Sequence, residues 1–262
     1  MEPSPKHAPA VTSVVAETRF TGAIVTCLWP RDEVASVLPA ALRLDTAPDT
    51  RRGWHPVVFI FGEHDRSTVF YATLALPTGV RFLEFVVAVP YVCASGGVGP
   101  GMFVPLVLSG DPIATWSGNA HYGFVKRLVP MEWLGDTFVV SDEGGGLLAH
   151  VKAERLGTWK RAAEGVHRAL AGAIVLSRMA VFGHRRDGSL VQSRFAWDVD
   201  DAWVRPVRAT VSIDAPLGDG LGVRVAHGSP AACVEVSAMR WRLSWPESAE
   251  GLRWPRAVAP LT

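Results

Sequence analysis

Lys126 is the first residue in this chain whose type and setting could do chemistry. Lysine and arginine total 26, only four of them lysine, and one of the four lies inside Gly123-Phe124-Val125-Lys126-Arg127-Leu128, between apolar neighbours. Burial disfavours an ammonium unless it is paired, which pushes a lysine toward its neutral form. The guanidinium at Arg127 pushes the same way if the fold brings the two heads together. A partly neutral lysine is a nucleophile that forms an imine with a ketone or aldehyde. The alternative is that Lys126 lies along a sheet edge and carries its head into water on an apolar stem.

A second group is Glu84, within Phe82-Leu83-Glu84-Phe85-Val86-Val87. A lone carboxylate on an apolar strand has a raised pKa and can serve as acid or base. It is otherwise an exposed residue on a strand whose other face is core. His121, five residues before Lys126, reads either as a proton shuttle or as a hydrogen-bonded structural histidine. Other patterns carry less. Ser95-Gly96-Gly97-Val98-Gly99-Pro100-Gly101 lacks the Lys-Ser/Thr and helix of a phosphate cradle and reads as a loop. His64, flanked by Glu63 and Asp65, lacks metal-ligand spacing. Trp241 and Trp245, alternating with Arg240, Arg242 and Ser244, read as packing on one strand face. No metal or other cofactor is expected.

The elements that must position these groups are mostly strands. β-branched and aromatic runs are interrupted by Gly, Asp and Pro at short intervals. The runs are Phe20 to Leu28, Pro56 to Phe61, Val69 to Leu76, Phe82 to Val92, Phe103 to Leu108, Phe138 to Ser141, Leu147 to Arg155, Ile174 to Phe182, Leu190 to Val199, Ala209 to Ile213 and Ala232 to Trp245. Asp187-Gly188 suits a tight hairpin turn and Asp142 to Gly146 a longer one. Asp32 can cap a short helix ending near Pro39, and Arg161 to Ala171 has helical composition. The expected fold is β-rich α+β: one domain, residues 18–245, built on a largely antiparallel closed sheet with a few short helices. Residues 1–17 and 246–262, rich in Pro, Ala, Ser and Glu, read as flexible arms.

Composition narrows the partners. Lysine plus arginine, 26, nearly equal aspartate plus glutamate, 25, so no net basic field points to nucleic acid or an anionic membrane. No run is long enough to span a bilayer, and the N-terminus has no apolar leader, so a cytoplasmic location is expected. Cys27, Cys93 and Cys233 are far apart in apolar surroundings and read as reduced core thiols. A small, near-neutral ligand fits this balance.

The stretch Leu108 to Leu128 resembles the signature segment of the acetoacetate decarboxylase family: an acid and proline (Asp111-Pro112), a small apolar stretch, a glycine (Gly118), an aromatic (Phe124) and the imine-forming lysine. Arg31 to Leu44, with Val37-Leu38-Pro39-Ala40-Ala41-Leu42, is similar to the family's early helix and turn, and Glu84 stands six residues before Pro90 as the family's pocket glutamate does before its proline. The resemblance covers roughly residues 19 to 245 in spacing. It implies a cone-shaped antiparallel β-barrel with an apolar interior, a homo-oligomer, Lys126 as the Schiff-base lysine, Glu84 as its catalytic partner, and Arg127 in place of a second lysine. It also implies a substrate pocket around Asn119, His121, Tyr122, Phe124, Leu28 and Phe59. Departures are specific. The family's arginine and acid after the glycine are Asn119 and Ala120, and the proline before the lysine is Val125. An early arginine aligns with Leu28 and a second glutamate near Phe59. Acetoacetate is therefore disfavoured as substrate. The expectation is a Schiff-base lyase acting on a small keto acid or other carbonyl compound, with decarboxylation or aldolase/dehydratase chemistry. The competing reading is a degenerate barrel that binds an apolar small molecule.

Overall fold

The alternation of apolar and polar residues carries the chain into long strands. The computed structural model describes residues 14–48, 50–71, 74–94, 100–164, 179–213, 224–228 and 232–249. In chain order the elements are β1 (Val14–Pro30), α1 (Arg31–Ser36), β2 (Leu42–Leu44), β3 (Trp54–Tyr71), β4 (Leu74–Pro77), β5 (Phe82–Ala94), β6 (Gly101–Ser109), α2 (Pro112–Ser117) and β7 (Lys126–Leu128). They continue as β8 (Met131–Leu134), β9 (Thr137–Ser141), β10 (Leu147–Arg155), β11 (Lys160–Arg161), β12 (Ala180–His184), β13 (Leu190–Asp198), β14 (Trp203–Ile213), β15 (Arg224–Gly228), β16 (Cys233–Ser244) and β17 (Glu247–Ser248). The prediction of a β-rich closed sheet with few helices matches this architecture.

Seven strands close a ring in the order β1–β3–β5–β6–β12–β13–β16 and back to β1. Every pairing in the ring is antiparallel except β6 with β12. A second antiparallel sheet, β8–β9–β10–β14–β15, lies against the outside of the ring. β14 joins the two: Trp203 to Pro206 pair with β16, whereas Val207 to Ile213 pair with β10. Pro206, which has no N–H to give to a ladder, sits where the strand changes sheet.

Two cores follow from the period-2 alternation of the shared strands. On β3 and β5, Phe59, Phe61, Phe85 and Val87 face outward and pack with Phe138, Val140, Val151 and Val211 of the second sheet. Phe61 and Phe138 have ring centroids 5.4 Å apart. The alternate residues Val58, Ile60, Val86 and Ala88 face inward with Phe20, Ile24, Val181 and Val236.

Several expectations change. β1 already starts at Val14, so residues 14–17 pair within the sheet, and β17 pairs Glu247 and Ser248 with β13. The N-cap of α1 is Pro30 rather than Asp32, because the strand runs to the residue before the helix. The Asp187-Gly188 turn is a five-residue connection, residues 185–189, closed by Arg185 N–H to Ser189 O at 2.9 Å. Cys27 and Cys233 are buried thiols, but Cys93 is half-buried beside Asp45. Residues 1–13 and 250–262 of the arms, 95–99 of the glycine-rich stretch, 165–171 of the helical stretch and 174–178 of a candidate strand lie outside the described residues. No helix among the described residues is long and apolar enough to cross a membrane.

Candidate active site

Lys126 is delivered to the barrel by a crossover. After β6, Asp111 caps α2 by accepting the Ala114 N–H on its Oδ1 at 2.6 Å, with Pro112 next to it where the missing N–H costs nothing. α2 passes into a π-helical turn over Gly118–Tyr122, ended by Gly123 in the left-handed region at φ +64°. β7 then runs parallel to β6, with Val107 opposite Lys126. The side-chain amide of Asn119 clips this strand in place: Nδ2 donates to the carbonyls of Thr115 and Lys126, both at 2.9 Å, and Oδ1 accepts the Lys126 N–H at 3.1 Å. Gly118 leaves the space in which the lysine stem lies, since a Cβ there would overlap Cγ, Cδ and Cε of Lys126.

The lysine head meets a chain of polar groups contributed by neighbouring strands. Lys126 Nζ donates to Glu84 Oε1 at 2.8 Å, and both side chains are only 11% exposed. His64 Nε2 stands 3.4 Å from Glu84 Oε2. From β16, two strands along the ring from β3, Trp241 Nε1–H donates to His64 Nδ1 at 2.9 Å. An indole N–H can only donate, so Nδ1 must carry the lone pair and the ring proton sits on Nε2, facing the carboxylate. Phe82 stacks on the imidazole at 4.8 Å and holds its plane. Burial pushes the Glu84 carboxyl up, but the Lys126 charge and the His64 hydrogen bond outweigh it and bring the carboxyl down to about 2. The raised value expected from the apolar sequence around Glu84 is thus reversed: burial comes with a cation in contact.

These groups open into a cavity of about 260 Å³ inside the ring. Its walls include Phe20, Ile60, Val86, Val104, Trp197 and Met239. Two bulges set which residues face it. On β16, Phe20 pairs with Met239 while Gly22 pairs with Val236, so Ser237 and Ala238 together oppose Thr21. Ala238 takes φ +60°. The bulge shifts the alternation by one, so Val234 and Val236 before it and Met239, Trp241 and Leu243 after it all face inward. On β3, Arg66 at φ +50° marks a similar shift, and His64 before it and Ser67 and Val69 after it all line the cavity. The Tyr122 hydroxyl is buried without a hydrogen-bond partner among the described residues, and burial pushes its pKa up to about 12.

The fold as a whole has counterparts among solved structures. Acetoacetate decarboxylase from Legionella pneumophila superposes with a TM-score of 0.60 at 16% identity, over 95% of this chain and 92% of that one. This chain has the acetoacetate decarboxylase fold. An acetoacetate decarboxylase-like enzyme from Sphingomonas wittichii gives 0.59 at 15% identity, over 96% of this chain and 100% of that one. The enduracididine biosynthesis enzyme MppR, solved with the condensation product of pyruvate and imidazole 4-carboxaldehyde, gives 0.58 at 13% identity, over 90% of each chain. No family model and no curated protein sequence matches the chain.

Within the acetoacetate decarboxylase fold, Lys126, Glu84, Tyr122 and Phe124 all line one cavity. Arg127 does not: it is exposed, and as the next residue on β7 it points to the opposite face from Lys126. The expected cationic neighbour is replaced by an anionic one. Asn119 acts on the Lys126 backbone rather than in the cavity. The His121 ring packs edge-on against Trp116 and tilted against Trp245, and its carbonyl accepts from Arg185, all outside the cavity. Leu28 is 45% exposed, and Phe59 belongs to the outer core. His64 and Trp241 are the site residues that sequence reasoning missed. The even spacing of His64, Ile60 and Val58 along β3 was a usable signal, whereas the bulge before Trp241 leaves no mark in composition.

Proposed function

We propose that the protein is a carbon–carbon lyase that forms an imine between Lys126 and a carbonyl compound, a small keto acid or another ketone or aldehyde, and carries out decarboxylation or aldolase/dehydratase-type chemistry next to it. The observation that carries this reading is the Lys126 head, almost wholly buried, facing an apolar cavity with a carboxylate at 2.8 Å. The MppR structure, holding a condensation product, favours condensation among the reactions that share an enamine.

The proton inventory of the pair suits imine formation. The resting site is an ammonium facing a carboxylate, and passing one proton from Nζ to Glu84 Oε1 makes an amine and a carboxylic acid without separating charge. The amine lone pair attacks the carbonyl carbon, and the Glu84 proton goes to the departing oxygen. A second proton leaves nitrogen in the water expelled. The product is a protonated imine opposite a restored carboxylate, so the positive charge keeps its partner throughout. Breaking a bond at the adjacent carbon sends its electron pair into the imine and leaves a neutral enamine. The His64 Nε2–H holds the second Glu84 oxygen and limits its rotation away from Nζ.

Borohydride reduction in the presence of keto acids, ketones and aldehydes, between about pH 6 and 8 where general acid–base groups operate, followed by peptide mass spectrometry, tests the reading. The expected result is a reduced adduct on Lys126 that Lys126→Ala abolishes. An adduct confined to other lysines, or turnover surviving in Lys126→Ala, would sink it. A non-catalytic binding barrel is the second reading, favoured by the resting ion pair, since a buried structural pair looks the same. It predicts ligand retention without any adduct.

A further inference from the structure

The groups facing the cavity are strongly unbalanced in kind. Five of the side chains that line it are acids, bases or imidazole: Glu17, His64, Glu84, Asp111 and Lys126. Among the described residues no arginine lines it, and Lys126 is the only full cation. That cation is already matched by Glu84 at 2.8 Å. Glu17 is held by Arg242 at 2.9 Å and Arg240 at 3.7 Å, neither of which lines the cavity, and Asp111 is committed to capping α2. An incoming carboxylate would therefore leave water, meet an ionised Glu84 beside the reacting nitrogen and find no unmatched cation. Apart from five serine and threonine residues, the rest of the wall is mostly aromatic and aliphatic, with Phe20, Phe82, Phe124, Phe195, Trp197 and Trp241 around the polar chain. A cavity of about 150 Å³ accommodates benzene, so the 260 Å³ here holds a ring and a short side chain. Tyr122 also lines the cavity, and its buried hydroxyl, without a partner among the described residues, suits a neutral oxygen.

We infer that the cavity takes an uncharged, largely apolar ketone or aldehyde of the size of an aryl-substituted butanone, and turns away keto acids of the same shape. This rests on the imine reading for its chemistry but on the cavity wall for its selectivity. Substrate and product both lack a carboxylate at the reacting carbon, so the bond broken or made beside the imine is an aldol-type carbon–carbon bond. In cleavage the β-hydroxyl gives its proton to the Glu84 carboxylate and becomes the carbonyl of the released fragment, while the electron pair of the broken bond enters the imine and leaves a neutral enamine; condensation runs the same step in reverse.

Two matched pairs separate selectivity from chemistry. 4-Phenylbutan-2-one and 2-oxo-4-phenylbutanoate differ only by methyl against carboxylate, and their reduced forms, 4-phenylbutan-2-ol and 2-hydroxy-4-phenylbutanoate, cannot form imines. Tryptophan fluorescence titration should give the neutral alcohol an affinity about tenfold or more above the hydroxy acid, as expected where an anion enters without a partner. Cyanoborohydride trapping on Lys126 should saturate at correspondingly lower ketone than keto-acid concentration. Equal or tighter binding of the hydroxy acid overturns the inference even if both carbonyls are trapped, and the imine reading then stands alone. Trapping of neither carbonyl, with the neutral alcohol still preferred, overturns the imine reading and supports the selectivity. In Glu84→Gln the Lys126 charge loses its match, so the gap between alcohol and hydroxy acid should close several-fold with the circular dichroism spectrum unchanged. An unchanged gap in a folded variant overturns the charge argument.

Discussion

At Glu84 burial and ion pairing act in opposite directions on one carboxyl group, and the folded value of about 2 against an ordinary 4.5 puts pairing ahead. Because the folded value is the lower one, ionised Glu84 stabilises the fold at pH above its unfolded value, and that contribution disappears as pH falls from about 4.5 through about 2. Its size is of the order of a few kcal/mol. Urea unfolding at pH 5 and pH 3 should therefore lose more stability in the parent protein than in Glu84→Gln, and equal losses would contradict the pairing. Tyr122 supplies a different test. Its hydroxyl is buried and unpartnered among the described residues, so Tyr122→Phe should leave the free protein's stability within about 1 kcal/mol or raise it. If the hydroxyl serves a ligand oxygen, the same change weakens 4-phenylbutan-2-ol binding; unchanged affinity would remove Tyr122 from the binding groups. Lys126 was legible in the sequence because a rare lysine among apolar residues is conspicuous. Its partner's sign was not, since a carboxylate on an apolar strand reads as isolated until the adjacent strand β3 is known to bring His64 and β7 to bring the ammonium.

The π-helical turn and β7 act together as the mount of the lysine, and Asn119 joins them. Asn119→Ala removes two hydrogen bonds to the Lys126 backbone and one to Thr115. The expected outcome is a loss of about 1–3 kcal/mol in stability, faster amide exchange at Lys126 and slower borohydride trapping there. Trapping at the parental rate would show that the strand holds its place without the clip. The sequence pattern of Asp111, Pro112 and Gly118 predicts the lysine that follows, but not the helical crossover between them, because six residues of α2 with no buried side chain have no amphipathic stripe to read. Strands were read well where alternation is unbroken: Leu147 to Arg155 has the same bounds in sequence and structure. β7, with three residues, is too short to show any period.

Over the whole molecule, one layer of strands divides two cores, so outward residues of β3 and β5 answer to the second sheet and inward ones to the cavity. Stability and ligand choice should separate accordingly. Phe138→Ala, in the outer core and fully buried, should cost about 3–5 kcal/mol. The preference for neutral over anionic ligands should survive it, as measured by titration below the variant's melting temperature; loss of that preference would mean that the cores are coupled. The closed barrel was legible from strand count and spacing, since antiparallel strands that leave no room for covering helices must close or stack. The flanking sheet was not, because Phe61 and Val58 look alike in sequence although one faces Phe138 and the other the cavity.

The extra residue at Ser237–Ala238 gives β16 something like a reading frame. Met239, Trp241 and Leu243 are read inward, and Arg240 and Arg242 outward to Glu17. Were the bulge to straighten with both residues kept, the strand would slip by one position and the reading of everything downstream would invert. The indole that orients His64 would turn to solvent, and two guanidinium groups would face the cavity. A chamber whose described wall holds no arginine would acquire, by one slip of the strand, two of them.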